Sequence, residues 1–495
     1  MFLTFAATAC VAGTEEAFWR CVMSTLEETL LKLADTLSGD GDAEAFHGDV
    51  EVLQESISEL CGRALNRFCG ELEGTMAGDL LRVSVNQIGL ESAEASLKRG
   101  EVFDLVYLVP ESVALWEMLQ VLENEVEKSA EAVRAAGGDG LLHSPGLEFT
   151  FYGTPVKLLL ANDTDVSEIS PETNNSRVSA LIARLVSKTV LDAVPDTDMF
   201  HRLLMCARIW AKQRGLYGQS HDFGYIGGMG WAICCAHVCR TTPQANSLEQ
   251  LFMAFFDIMS RWDERFPLSL SQTRSSQAKG AQDGAYKVLL PVGEHLSATP
   301  NLTASATQQL QKEFRRGNRI CAKIQHGAAD WNHLFASSKF FERHFHFLQI
   351  DITAANDAIM SQWLLWCRRH LQGVAEKLEA VRTCQLHTRP WPVWVPFKDP
   401  DWHAAKTLFI ALRIEPPKSA GGHTGARPVV DLREVLVSIL EKLCAWPYAT
   451  KHIGEFDLYI RHMSQPEVMS WLAKVEQGLP VKRQLGGANE TVNRM

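Results

Sequence analysis

Between Phe345 and His462 the apolar pattern changes period four times, and few architectures accommodate that order. Phe345–Ile352 alternates as a strand does, Ile359–Ala380 repeats at helical spacing, and Thr407–Ile414 alternates again. Val429–Cys444 is then helical and Glu455–His462 forms a third strand. Strands and helices in this succession, with one sheet face covered, predict a ferredoxin-like domain.

The preceding residues read as two further regions. Apolar residues recur at helical spacing from Met23 to Leu72, through Leu26, Leu30, Leu53, Ile57 and Leu60, with an acidic loop at Gly39–Asp49. Glu101–Val109 (EVFDLVYLV) is a β-branched and aromatic run with the character of a buried strand. Leu115–Val133 reads as a helix, and Leu147–Ala161 as two strands about a Gly153-Thr154-Pro155 hairpin. From Val178 to Phe266 the pattern is helical, with breaks at Pro195, Gly215 and Gly224–Gly230. A long polar loop at 270–300 precedes a helix at Ala304–Ile324 bearing Lys312, Arg315, Arg316 and Arg319. Strand, helix and hairpin at the start, helices in the middle and alternation at the end define an α+β chain.

At 495 residues the chain accommodates two to four domains, and 46% hydrophobic with 22% charged residues is the composition of a globular protein. Fibres, disordered chains and disulfide scaffolds are excluded. The 12 cysteines include no C-x-x-C pair, so they read as free thiols in a reducing compartment. No segment offers the ~18 unbroken apolar residues a membrane helix needs, so no membrane partner is expected. The apolar Met1–Gly13 lacks a basic flank. It reads as a disordered extension or a start placed too early, with a signal peptide as the other option. Net charge is −11, yet 336–495 holds 20 Lys and Arg against 16 Asp and Glu, which leaves −15 elsewhere. Only the C-terminal third modestly favours a phosphate backbone.

The stretch Phe200–Arg240 (FHRLLMCARIWAKQRGLYGQSHDFGYIGGMGWAICCAHVCR) is similar to the central-domain signature of eukaryotic nuclear poly(A) polymerases, in which a W-A-K-x-x-G-I-Y helix leads into a G-F-L-G-G-V-x-W-A turn. Pro291–Gly317, Trp331–Leu378 and Phe397–Val437 resemble later parts of the same family in order, and 23–110 resembles its opening more loosely. The resemblance implies a nucleotidyltransferase palm after N-terminal helices at 23–178, a helical central domain at 179–335, and an RRM-like RNA-binding domain with a C-terminal tail at 336–495. Residues 1–22 remain an extension. The family activity is addition of AMP from ATP to RNA 3′ ends, with Mg²⁺ or Mn²⁺, in the nucleus and beside other mRNA 3′-end-processing proteins. The Lys482-Arg483 pair is too small to be a targeting signal by itself.

Nucleotidyl transfer by this family uses two divalent ions, hard cations that take carboxylate oxygens. The resemblance aligns its paired carboxylate strand with Gly100–Val106, where Asp104 keeps the second acid and Val102 replaces the first. Glu101 lies on the opposite face, with Phe103. The third carboxylate aligns with Lys157. The Gly-Ser turn that contacts triphosphate is missing, its nearest counterpart being Ile88-Gly89-Leu90-Glu91. The expectation is a degraded metal site in which Lys157 pairs with Asp104. A pseudo-enzyme follows, which binds RNA or a partner, or ATP without metals; the alternative is an active adenylyltransferase, through a misaligned strand or with Asp163 or Asp165 supplying a carboxylate.

On the ATP side the resemblance matches Lys212, Tyr217, Gly227, Gly228 and Met229 to nucleotide contacts, while the ribose-reading asparagine is replaced within Ala180–Ala183. Lys212 and Tyr217 serve either the ligand or packing. Trp210, Trp231, Cys234, Cys235, His237, Cys239, Trp363 and Trp366 read as core. Trp391, Trp394 and Trp402, in a Pro-rich loop, either stack on bases or meet a partner.

Overall fold

The computed structural model describes residues 26, 29, 50–69, 79–82, 103–110, 112–129, 132–134, 146–152, 154–162, 185–218, 225–263, 265–270, 287–292, 297–299, 302–381, 384–391, 393–415 and 431–481. Expectations for 1–22, Gly89, Val102, Asp163, Asp165 and Ala180–Ala183 lie outside the described residues.

Helix α1 (Val50–Cys69) precedes strands β1 (Asp79–Arg82) and β2 (Phe103–Val109), followed by helix α2 (Leu115–Lys128). Three more strands, β3 (Ala132–Arg134), β4 (Gly146–Phe151) and β5 (Thr154–Asn162), complete a sheet ordered β1-β2-β5-β4-β3. Strands β2 and β5 run parallel, and every other pair is antiparallel. Phe103, Leu105, Tyr107 and Val109 of β2 share a core with Val156, Leu158 and Leu160 of β5, closed by Leu53 and Ile57 of α1 and Met118 and Leu122 of α2. The pleat therefore puts positions 104 and 157 on the sheet's other face. Helix α2 is shorter than its hydrophobic pattern implies. Its C-cap, Ser129, is extended at φ −77° and ψ 129°, and the apolar residues beyond it form edge strand β3. The hairpin lies where expected, pairing Phe151 with Thr154 across a two-residue turn in which Tyr152 takes φ 46°.

The middle region comprises α3 (Thr197–Gln213), α4 (Gly228–Thr241), α5 (Leu248–Ser260), α6 (Ala304–Gln325) and the short α7 (Trp331–Phe335). Side chains of Asp196, Ser247, Thr303 and Asp330 cap four of these helices by accepting backbone N–H groups. Trp210 stands at the centre, edge-on to Phe256 at 4.9 Å and to Trp231 at 6.1 Å, and stacked on Phe314 at 5.7 Å. Trp231, Cys234, Cys235 and Cys239 are buried in the same core, as their apolar helical pattern implies. His237 is half-buried, and burial holds its pKa below the usual value.

The α5–α6 contact depends on Gly317, because a Cβ there would sit 2.2 Å from Cδ1 of Phe256. Phe256 is held by Trp210, Phe252 and Phe255 and has little room to retreat. Gly317→Ala should therefore cost about 1–3 kcal/mol through overpacking. Chemical denaturation measures it, and an unchanged midpoint would mean that the Phe256 ring moves freely.

Strands β6 (His346–Ala354), β7 (Gln385–Pro390), β8 (Val395–Pro396), β9 (Ala404–Glu415) and β10 (Phe456–Ser464) build the C-terminal sheet. Its order is β10-β6-β9-β7, all antiparallel, with β8 paired to β9. Helix α9 (Asp357–Glu379) follows β6 and α10 (Arg433–Cys444) follows β9, so the chain runs β-α-β-β-α-β in the ferredoxin-like manner. Strand β7 escapes a sequence reading because it is short and ends at Pro390, ahead of a Pro-rich stretch.

One expectation is corrected here: both faces of this sheet are covered. Leu348, Ile350, Leu408 and Ile410 meet Trp363 and Leu371 of α9 on one side. On the other, Phe347 and Phe409 lie beneath α8 (Phe340–Arg343) and α11 (Gln465–Glu476), with Phe340 5.7 Å from Phe347 and Trp471 5.4 Å from Phe409. The sheet face on which RRM aromatics stack bases is therefore closed. The loop tryptophans do not supply a substitute platform as a set. Trp394 is buried in the core, and Trp391 packs on Phe340 and Phe341 at 4.9 and 5.3 Å; Trp402 is half-buried. The burial of Trp363 and the half-buried Trp366, whose indole N–H donates to the Leu443 carbonyl, agrees with their expected core role.

Candidate functional site

Two places contain the residues singled out by sequence. In the first, the β2–β5 register pairs Asp104 with Lys157, and β4 brings Glu148 opposite Lys157 on its other side. Neighbouring residues at one register position share a sheet face, so a lysine is set between two acidic positions on three adjacent strands. Among the described residues no group of three His, Cys, Asp or Glu side chains could hold a metal ion.

The second place is assembled by the end of α3. Gly215 takes φ 65°, which only glycine adopts without strain, and lets the chain reverse. The Leu216 N–H then donates to the Ala211 carbonyl at 2.8 Å and the Gly215 N–H to the Lys212 carbonyl at 3.0 Å, a Schellman ending. The reversal returns Tyr217 over its own helix. Its ring receives the Lys212 ammonium at 5.6 Å and the Arg208 guanidinium at 5.7 Å, cation–π contacts on one aromatic. Tyr217 also forms a bridge with Ile226, and the Gly218 N–H donates to the Ile226 carbonyl at 3.1 Å.

That bridge delivers the first turn of α4. Gly227 is its N-cap and supplies no side-chain acceptor, and a Cβ at Gly228 would sit 3.0 Å from the Tyr217 hydroxyl. The glycines thus admit the tyrosine to the helix N-terminus. Lys212, Tyr217, Gly227, Gly228 and Met229 therefore form one corner, with Lys212 and Gly228 exposed. A helix start with N–H groups pointing outward beside two cations is suited to a phosphate-bearing ligand. Arg208 was not singled out by sequence; its signal is the i, i+4 spacing to Lys212 on α3.

A third charged feature lies where α6 meets the C-terminal sheet. Ser305 Oγ and His387 Nδ1 are 3.2 Å apart across this junction. His344 is held down at about 4, first by burial and then by Arg389, Arg413, Arg343 and Lys312. The four cations act in the same direction as burial, and they make this junction positively charged. Of the four α6 cations, Arg316 donates to the His333 and Leu334 carbonyls and serves packing.

Residues 199–337 match the model of the poly(A) polymerase central domain, which spans the whole corner from Arg208 to Met229. The chain is similar to the poly(A) polymerases. It is 30% identical to nuclear poly(A) polymerase 1 of Arabidopsis thaliana over 271 residues, covering 50% of this chain and 37% of that protein. Poly(A) polymerase of Dictyostelium discoideum is 25% identical over 362 residues, 68% of this chain and 44% of that protein. Poly(A) polymerase pla1 of Schizosaccharomyces pombe is 26% identical over 307 residues, 58% of this chain and 54% of that one. The chain thus spans between about a third and just over half of the length of these relatives. A solved structure of mtPAP in apo form is a looser match, with a TM-score of 0.44 at 11% identity over 63% of this chain and 75% of that chain. Among the described residues, no helix is long and apolar enough to cross a membrane.

Proposed function

We infer that this poly(A)-polymerase-like chain acts in nuclear mRNA 3′-end processing as a binding protein whose metal-dependent chemistry has decayed. The observation that carries this reading is the register of Lys157 against Asp104, which supports an internal ion pair where the relatives' activity calls for bound Mg²⁺ or Mn²⁺. A lysine between two acidic positions is a poor ligand set for either ion. The corner made by Lys212, Tyr217, Gly227, Gly228 and Met229 supports retention of ATP as a ligand. Lys212 and Arg208 would neutralise phosphate charge there, and the first N–H groups of α4 would donate to phosphate oxygens. The cationic surroundings of His344 favour the RNA 3′ segment as a further partner. Nuclear placement rests on the name of the Arabidopsis relative, and 3′-end-processing proteins as partners rest on the family resemblance alone.

The deciding assay is incorporation of labelled ATP into an oligo(A) primer by purified protein with Mg²⁺ or Mn²⁺, beside an Asp104→Ala variant. The expected result is no incorporation by folded wild-type protein. Incorporation that disappears in Asp104→Ala would replace this reading with an active polynucleotide adenylyltransferase.

A further inference from the structure

The C-terminal domain reaches into the corner just described. Arg389 lies on β7, is 8% exposed, and donates from Nη2 to the Arg214 carbonyl at 3.2 Å. Arg214 is the C-cap of α3, two residues beyond Lys212 and three before Tyr217. Its own guanidinium is spent on the same boundary. It donates from Nε and Nη2 to Glu313 of α6 at 2.9 Å each, and from Nη1 to the Ser337 carbonyl at 2.7 Å and to the Ala336 carbonyl. Residues 336–337 are the segment that leads from α7 into the C-terminal domain.

The other strand of the Tyr217–Ile226 bridge is approached as well. Tyr225, next to Ile226, is buried, which raises its phenol pKa, and the Arg389 charge opposes that rise. A Cβ at Gly218 would sit 2.8 Å from the Tyr225 carbonyl oxygen, so the two strands have no slack between them. Arg389 is itself held from behind by the Phe340 ring, 5.6 Å from its Cζ, and by His344 Nε2 at 3.5 Å.

The geometry points to Arg389 as a positioning residue that couples the C-terminal ferredoxin-like domain to the Lys212–Tyr217 turn. Whatever shifts β7 or α8 alters how firmly that turn is held, and a ligand on the turn in turn biases how the C-terminal domain docks. Such coupling is reciprocal by thermodynamic necessity. The mechanical part stands on the contacts above, whereas its effect on nucleotide rests on the ATP reading of the corner.

The test uses the full chain and two variants, Arg389→Met, which keeps the stem and removes the donors, and Arg389→Lys, which restores one donor. Hydrogen exchange of the Gly215, Leu216 and Gly218 amides reports the turn. The loss of a charge-assisted bond should speed their exchange by about tenfold or more in Arg389→Met, with an intermediate effect in Arg389→Lys. Amides of Ile350 and Leu458, in the paired centre of β6 and β10, should be unchanged. Unaltered exchange at the turn would overturn the proposal, and so would faster exchange spread through β6 and β10, which marks general loosening.

The second arm titrates a fluorescent ATP analogue. Arg389→Met should weaken its binding by about fivefold or more, in the direction that Lys212→Ala also takes. Tight binding unaffected by Arg389→Met, alongside a loosened turn, would overturn the coupling. If the wild-type chain fails to bind the analogue, the ATP reading falls while the exchange result still decides the contact.

Discussion

Glu313→Ala is expected to destabilise the protein by about 3–5 kcal/mol, because it leaves a buried guanidinium without its counter-charge. Arg214 is 1% exposed, so water cannot replace the lost carboxylate. Glu313 now accepts from both Nε and Nη2 of Arg214 and also from Gln309 at 3.4 Å. Its carboxylate also lies 3.9 Å from Arg316 Nη1. Truncation therefore frees two cations and several donors at once. Removing both charges is a different experiment. Arg214→Met with Glu313→Leu replaces the pair by apolar volume, and should recover a substantial part of the loss. Urea denaturation followed by tryptophan fluorescence measures each variant. A loss below about 1 kcal/mol for the single change would show that the pair is solvated, in the range of a surface bridge.

Trp210→Ala should be as costly, about 3–5 kcal/mol. The indole is fully buried and touches Trp231, Phe255, Phe256 and Phe314, residues from three other helices. A cavity there cannot collapse without moving α5 and α6 together. Trp210→Phe should cost much less, since the indole Nε1 has no hydrogen-bond partner among the described residues and the ring stacking survives. The comparison separates volume from polarity. Equal losses for the two variants would mean that the N–H matters after all. Both also probe the corner, because Lys212 is two residues further along the same helix.

Much of this architecture was legible without coordinates. The helix over Ala304–Ile324, the strand at Phe345–Ile352 and the hairpin around Gly153 each carry a local period and a cap or turn residue, and each forms close to its expected bounds. Strand β7 was not legible, because a six-residue strand ending in proline has no period long enough to recognise and forms only by pairing with β9. Helix α2 shows the opposite failure. Its apolar pattern continues past Lys128, but the backbone turns extended at Ser129 and donates those residues to an edge strand. The covered second face of the C-terminal sheet was hidden for a similar reason. Phe347 and Phe409 alternate as any exposed aromatic row would, and only the packing of α8, just ahead of β6, and of α11, beyond β10, buries them.

The candidate site divides along the same line. By itself the sequence determined which side chains are present: a lysine where a third carboxylate is expected, an aspartate one strand away, a W-A-K helix and a pair of glycines before α4. Residue identity settles charge and the conformations a backbone can reach, and those are local properties. Tertiary structure alone decided that Asp104 and Lys157 meet at one register position, and that Gly215 folds Tyr217 back over Lys212 and Arg208. It also decided that Arg389, 175 residues beyond Arg214, closes on its carbonyl. Such pairings depend on the directions in which separate strands and helices leave the core, and packing fixes those directions only when the whole chain has folded.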